Sequence, residues 1–138
     1  VILQSFNVED PTIQLAARSD FAGFAAAELE LREDAGLPPA TRMARIVMRH
    51  PDAVKLTARA RELGQSLEQL EDELRTGARL RGPMVCPIAR VADFHRQQIE
   101  VIAPTAASVQ KLLTAARNRL GLVSDQHTAV DVDPVSLL

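Results

Sequence analysis

Arg90, His95 and Arg96 flank one short turn, with Asp93 the only acid near them. Guanidiniums clustered at the tip of a hairpin can grip phosphate oxygens through paired N–H donors. The alternative is a turn whose charges simply face water. A second basic group, Arg75, Arg79 and Arg81, surrounds Gly77. A flexible basic loop beside nucleic acid and a plain soluble loop both fit it. Arg117 and Arg119 fall near the end of a helical stretch, where they complement its dipole.

Other residue sets carry less chemistry. Asp131-x-Asp133 puts two carboxylates on one face of a strand, but a hard metal ion needs more oxygens than these. Cys86, His50, His95 and His127 show no metal-ligand spacing, and a lone cysteine inside an apolar strand belongs to a core. Gly64-Gln65-Ser66 lacks the lysine of a phosphate-binding loop. No serine, histidine and aspartate stand in a context that supports nucleophilic catalysis. The leucine stripe from Leu56 to Leu74 is too short for a coiled coil and has Gly64 inside it.

These residues must be positioned by a chain of 138 residues, 46% hydrophobic and 25% charged. That is enough apolar material for one real core. No apolar run reaches the roughly 20 residues of a membrane-spanning helix, and no secretory leader is visible. One cysteine forms no internal disulfide, which points to a reducing cytoplasm. Aromatic residues make up 3%, with no Trp or Tyr, which argues against base stacking as a major binding device. Residues 1–40 hold two basic and seven acidic side chains, a balance of −5; residues 41–138 hold 14 basic and 11 acidic, a balance of +3. A mildly basic segment therefore follows an acidic one, which permits phosphate attraction without demanding it.

Val1–Ser5 reads as a short buried strand, followed by a turn and a helix opening at Pro11. Ser19 or Asp20 caps a second helix with Phe21, Phe24 and Leu29 on its apolar face. Gly36 and Pro38-Pro39 end it and set a domain boundary, so that residues 1–40 and 41–138 are separate segments. Beyond it the pattern reads as a strand at 42–49, a long helix from Pro51-Asp52 to Leu74, strands at 84–91 and 96–103, a helix opening at Pro104-Thr105, and a strand at 127–133. The expected fold class is α+β: a split βαβ, ferredoxin-like, four-stranded antiparallel sheet with two helices on one face. Val54, Leu56, Leu63, Leu67, Ile99, Val101, Val109, Leu112, Leu113, Val130 and Val132 are the expected core.

In that fold the first strand lies between the third and the fourth. Alternation then sends Ala44, Ile46 and Met48 toward the helices, and Arg45 and Arg49 to the open face between an Arg96/Gln98/Glu100 row and an Asp131/Asp133 row. The flanking aspartates favour a cross-strand charge ladder for both arginines. A polar surface for phosphate or for a partner is the alternative.

Many short features in fixed order resemble the C-terminal end of the PriA-type replication-restart helicases (primosomal protein N′). They are Ile2-Leu3-Gln4, Phe6-Asn7, Pro11, Asp20-Phe21, Phe24, Glu28-Leu29, Arg32 and Gly36-Leu37-Pro38-Pro39. Then come Gly82-Pro83, Pro87-Ile88, Arg90, Arg96-x-Gln98, Pro104 and Asp131-Val132-Asp133-Pro134. The resemblance implies that residues 1–40 are the tail of the second helicase lobe and that 41–138 are a C-terminal domain that helps bind branched or single-stranded DNA. It implies docking of single-stranded DNA-binding protein and other primosome proteins, and no membrane association. The parent's ATP with magnesium, its structural zinc and its helicase motifs are implied to lie upstream, so this segment is expected to hold no cofactor and to turn over no ATP. Arg90, His95 and Arg96, helped by Arg79 and Arg81, are the expected DNA-binding residues. Where the family hairpin carries aromatic and basic residues, this chain reads Asp93-Phe94-His95-Arg96; Thr105, Ala106 and Ala107 are neutral where relatives place an arginine near the partner tail. A stand-alone ferredoxin-like interaction or dimerisation domain is the alternative.

Overall fold

The β-rich run at Ile46-Val47 and the period of two make β1 (Arg42–His50) a strand with two unlike faces: Ala44, Ile46 and Met48 are fully buried on one, and Arg45 and Arg49 lie on the other. The structure is a computed structural model that describes residues 2–135. The chain divides into two compact units, 1–40 and 41–138.

In the second unit β1 is followed by α3 (Ala53–Leu74), numbered after the two helices of the first unit. Asp52 caps α3 by accepting from the N–H groups of Val54 and Lys55. Leu56, Ala60, Gly64, Leu67 and Leu70 recur at helical spacing on its buried face. Gly64 interrupts the leucine stripe because a Cβ there would lie 3.3 Å from Cδ of Pro83, so the helix approaches the sheet closely at this point. Next come β2 (Arg79–Val91), β3 (Phe94–Ala103), α4 (Ala106–Leu120) and β4 (Thr128–Val132). Thr105 caps α4, and Gly121, left-handed at φ 64°, ends it.

The sheet is four-stranded and antiparallel in the order β2-β3-β1-β4, so β1 lies between β3 and β4 as expected. Both helices pack on one face, and Ile99, Val101, Val109, Leu112 and Leu113 join the β1 residues beneath them. The α+β class and the place of β1 in the sheet follow the sequence. β2 is longer than expected: it starts at Arg79 and passes through Gly82-Pro83 as a register shift, where breaker residues had suggested a loop. β2 is an edge strand, so the missing N–H of Pro87 costs the ladder nothing.

Two expected core residues are corrected. Val54 is 80% exposed, because it sits two residues before Leu56 and therefore on the far side of α3. Val132 is 38% exposed at the end of the short edge strand. Leu63 and Val130 are partly buried against the core. Met43 and Ile102, which were not expected to be buried, pair across β1 and β3 and are nearly inaccessible outside the main core cluster.

The first unit contains α1 (Pro11–Ala17), capped by Asp10, and α2 (Phe21–Asp34), capped by Asp20. The strand expected at Val1–Ser5 is not present over Ile2–Ser5, and Val1 lies outside the described residues. A strand requires a partner, and among the described residues the four paired strands lie between Arg42 and Val132. Neither helix buries a residue fully; Ile2, Phe6 and Phe21 are exposed, and Leu15, Phe21 and Phe24 line an apolar concavity of about 410 Å³.

Every residue of the buried core cluster lies between Ala44 and Leu122. A chain beginning at Pro39 is therefore expected to unfold in one cooperative transition, with a midpoint close to that of the full chain. Scanning calorimetry checks this; a broad, non-cooperative melt would show that residues 1–38 belong to the folding unit.

Candidate nucleic-acid interface

Parity along β3 sorts the candidate residues. Gln97 donates to Thr57 of α3 at 2.9 Å, and Ile99 and Val101 enter the core, so odd positions face the helices. Phe94, Arg96, Gln98 and Glu100 then lie on the helix-free face. His95 is directly opposite Arg90, so these two share the other side of the ribbon, where Arg90 pairs with Asp93 at 3.4 Å. The trio expected at the turn is thus divided: neighbours on a strand point to opposite faces, and only Arg96 reaches the helix-free one.

Arg79 and Arg81 do share that face, opposite Ile102 and Glu100. At about 3.3 Å per residue they lie roughly 20 and 13 Å along the ribbon from Arg96. Arg81 pairs with the buried carboxylate of Glu100 at 3.5 Å, and Glu100 also accepts from the Gln98 amide at 2.9 Å. Arg45 pairs with Asp131 at 3.9 Å, and Arg42 with Asp133 at 3.3 Å. The charge-ladder reading holds for Arg45.

It fails for Arg49. On one side its Cα partner is Arg96. On the other its N–H donates to the carbonyl of His127, and no aspartate is in register with it. Among the described residues neither Arg49 nor Arg96 forms an ion pair. Like charges directly opposed on a sheet repel. The Arg49 Nε donates to the Gln126 carbonyl, and its guanidinium lies 5.3 Å from the centre of the Phe94 ring. Arg96 makes only a long bond, 3.4 Å, to the carbonyl of Ile88. His127 stands 6.3 Å from Phe94, and its Nδ1 is buried with no hydrogen-bond partner. Together with Val47, Val91, Ala129, Arg45, Thr128 and the carboxylates of Asp125 and Asp131, these side chains line a concavity of about 450 Å³.

Asp125 holds the approach to β4. It accepts from the N–H groups of His127 and Thr128, both at 2.7 Å, and these bonds, that of His127 foremost, lower its carboxyl pKa below the usual 3.8. A depressed folded-state pKa contributes stability above the unfolded value, and this is lost as pH falls through the folded one. Asp125→Ala is therefore expected to melt earlier than the parent at pH 7, with the gap closing below about pH 3.8. A gap that persists unchanged at pH 2 would show that the carboxylate's charge is not what matters.

Among the described residues no three His, Cys, Asp or Glu side chains converge as metal ligands, and Asp131 and Asp133 are engaged by arginines. Cys86 is buried, and desolvation raises its thiol pKa despite the nearby charges of Arg96 and Arg45. Sequence reasoning missed Arg49, Phe94 and His127 as a group. The signal was there: Phe94 and Arg96 are two residues apart on one strand, hence on one face.

The family model of the primosomal protein N C-terminal domain matches residues 33–135. The chain is 31% identical over 139 residues to the replication restart protein PriA of Treponema pallidum, covering 100% of this chain and 20% of that protein. It is 31% identical over 137 residues to the PriA of Thermotoga maritima, covering 99% and 17%, and 30% identical over 143 residues to that of Haemophilus influenzae, covering 99% and 18%. The chain thus spans about a fifth of the length of the curated relatives it matches.

Proposed function

The chain belongs to the primosomal protein N C-terminal domain family, and from that premise we propose that residues 41–138 are a DNA-handling domain of a replication-restart helicase. On this reading the domain binds branched or single-stranded DNA in the cytoplasm. Residues 1–40 are the tail of a helicase lobe whose remainder covers the exposed Phe21 face. ATP with magnesium and structural zinc belong to the rest of the parent, and single-stranded DNA-binding protein and other primosome proteins are the partners. The observation that carries DNA binding is the helix-free sheet face. It gathers Arg45, Arg49, Arg79, Arg81 and Arg96, and among the described residues neither Arg49 nor Arg96 forms an ion pair. Backbone phosphates supply the charge that such a surface needs.

The test is binding of forked and single-stranded oligonucleotides over a range of salt. The parent chain is expected to bind weakly, with affinity falling steeply as salt rises. Arg90→Ala with Arg96→Ala should weaken binding and flatten the logarithmic salt slope by about 0.7, one single-strand phosphate contact, because only Arg96 lies on the helix-free face. Arg96→Ala alone should account for most of this, since Arg90 is already engaged by Asp93. If the double variant binds with the parent's affinity and slope, the hairpin is not the DNA site. The second reading, a domain that associates with another protein or with its own copy, then moves ahead. It is favoured by Val85, Ile88 and Val91, exposed along the edge strand β2.

A further inference from the structure

The DNA-binding reading concerns charge; the concavity around Arg49 holds more than charge. We propose that Arg49, Arg96, Phe94 and His127 form a pocket for one nucleotide of a single DNA strand, with the phosphate between the two arginines and the base against Phe94. The inference rests on the reading of this face as a DNA surface and names the ligand unit it takes.

Arg49 and Arg96 are directly opposed on adjacent strands, and neither forms an ion pair among the described residues. An anion between them turns a repulsive pair into two charge-assisted hydrogen-bonded contacts. Arg49 is also pre-positioned. Its Nε is fixed on the Gln126 carbonyl and its guanidinium is layered near the Phe94 ring, so its terminal nitrogens remain for a ligand and little side-chain freedom is lost on binding.

The rest of the lining mixes apolar and polar side chains: Asp131 there is paired with Arg45, and Asp125 is engaged by the N–H groups of His127 and Thr128. Phe94 is the one aromatic residue of the Phe, Tyr or Trp class in residues 41–138, and it stands beside the arginines rather than in the core. Val91, half exposed, and Val47 continue this surface. A sheet face that carries an aromatic ring between cations is a stacking platform for an unpaired base. The His127 ring, 6.3 Å from Phe94, closes the pocket on the β4 side. A duplex keeps its bases stacked within it and cannot offer one to the ring. The pocket therefore favours single strands, and the scarcity of aromatics limits it to one base.

The test compares three probes on the full chain by fluorescence anisotropy: oligo-thymidylate, an abasic oligomer of equal length, and a duplex. The parent is expected to bind oligo-thymidylate more tightly than the other two. Phe94→Ala and Phe94→Leu should each weaken oligo-thymidylate binding about tenfold with the salt slope unchanged, and leave abasic binding as it was. The leucine variant retains an apolar side chain and reports the ring if the alanine variant melts early. Arg49→Ala should instead flatten the slope by about 0.7 for both single-stranded probes. Equal parent affinity for the thymidylate and abasic oligomers, or indifference to both Phe94 changes, overturns the base pocket and leaves the phosphate-binding face standing. No binding of any DNA at low salt overturns the DNA reading itself. Binding of a poly-glutamate peptide in its place, lost in Arg96→Ala, assigns the face to an acidic protein partner and overturns both.

Discussion

Replacing Leu112 with alanine should destabilise residues 41–138 by about 2–5 kcal/mol, the range for a leucine deleted from a close-packed interior. Leu112 is fully buried near the middle of α4, in the cluster that includes Ile46, Leu67 and Val101. A cavity there has no route to solvent, and the rigid sheet beneath limits collapse. Val54→Ala is the contrasting change: Val54 is apolar too, but 80% exposed, and its loss should shift stability by no more than about 0.5 kcal/mol. Urea unfolding of both variants decides the matter. Equal midpoint shifts would mean that α3 and α4 do not present these faces to the sheet.

Glu100→Ala should cost about 3 kcal/mol, toward the lower end of what breaking a buried pair costs. The Glu100 carboxylate is 6% exposed; it accepts from Gln98 and pairs with Arg81, and its Cα partner on β1 is Arg45. Removing it leaves the Gln98 amide, itself buried, without that acceptor and the arginines with less compensation. Arg81 is half exposed and regains water, which keeps the loss moderate. Glu100→Gln keeps an acceptor for Gln98 and should lose less. The same alanine change removes one negative charge from the arginine face, so DNA affinity should rise at low salt while stability falls. Unfolding and binding measured on one preparation test both halves. A variant as stable as the parent would show that the polar row adds nothing to the fold, and weaker DNA binding would count against the face as the DNA site.

Much of this is legible in the sequence. Alternation in Arg42–His50 named the buried side of β1, and the recurrence of Leu56, Ala60, Leu67 and Leu70 named the buried side of α3. Val54 and Val132 misled because hydrophobic type was read without helical phase or strand end. Gly82-Pro83 misled because the same residues end a strand or kink a continuous one, and the cross-strand partners on β3 decide which. The candidate site was legible only in part. Nearness in sequence groups Arg96 with Arg90 and His95, but strand pleating places those two on the other side.

The sequence by itself determined the order of elements after Pro39, the faces of β1 and β3, and a basic balance in residues 41–138. These are local quantities: periods of 2 and 3.6 residues, caps and charges all act within one segment. Only the tertiary structure decided which charges are neutralised. Asp131 meets Arg45 across 86 residues of chain, Glu100 meets Arg81, and Arg49 meets Arg96. Whether an arginine is a rung in a charge ladder or half of an anion site depends on the register of strands far apart in sequence. A shift of a single residue reverses that assignment, because it carries every side chain to the opposite face.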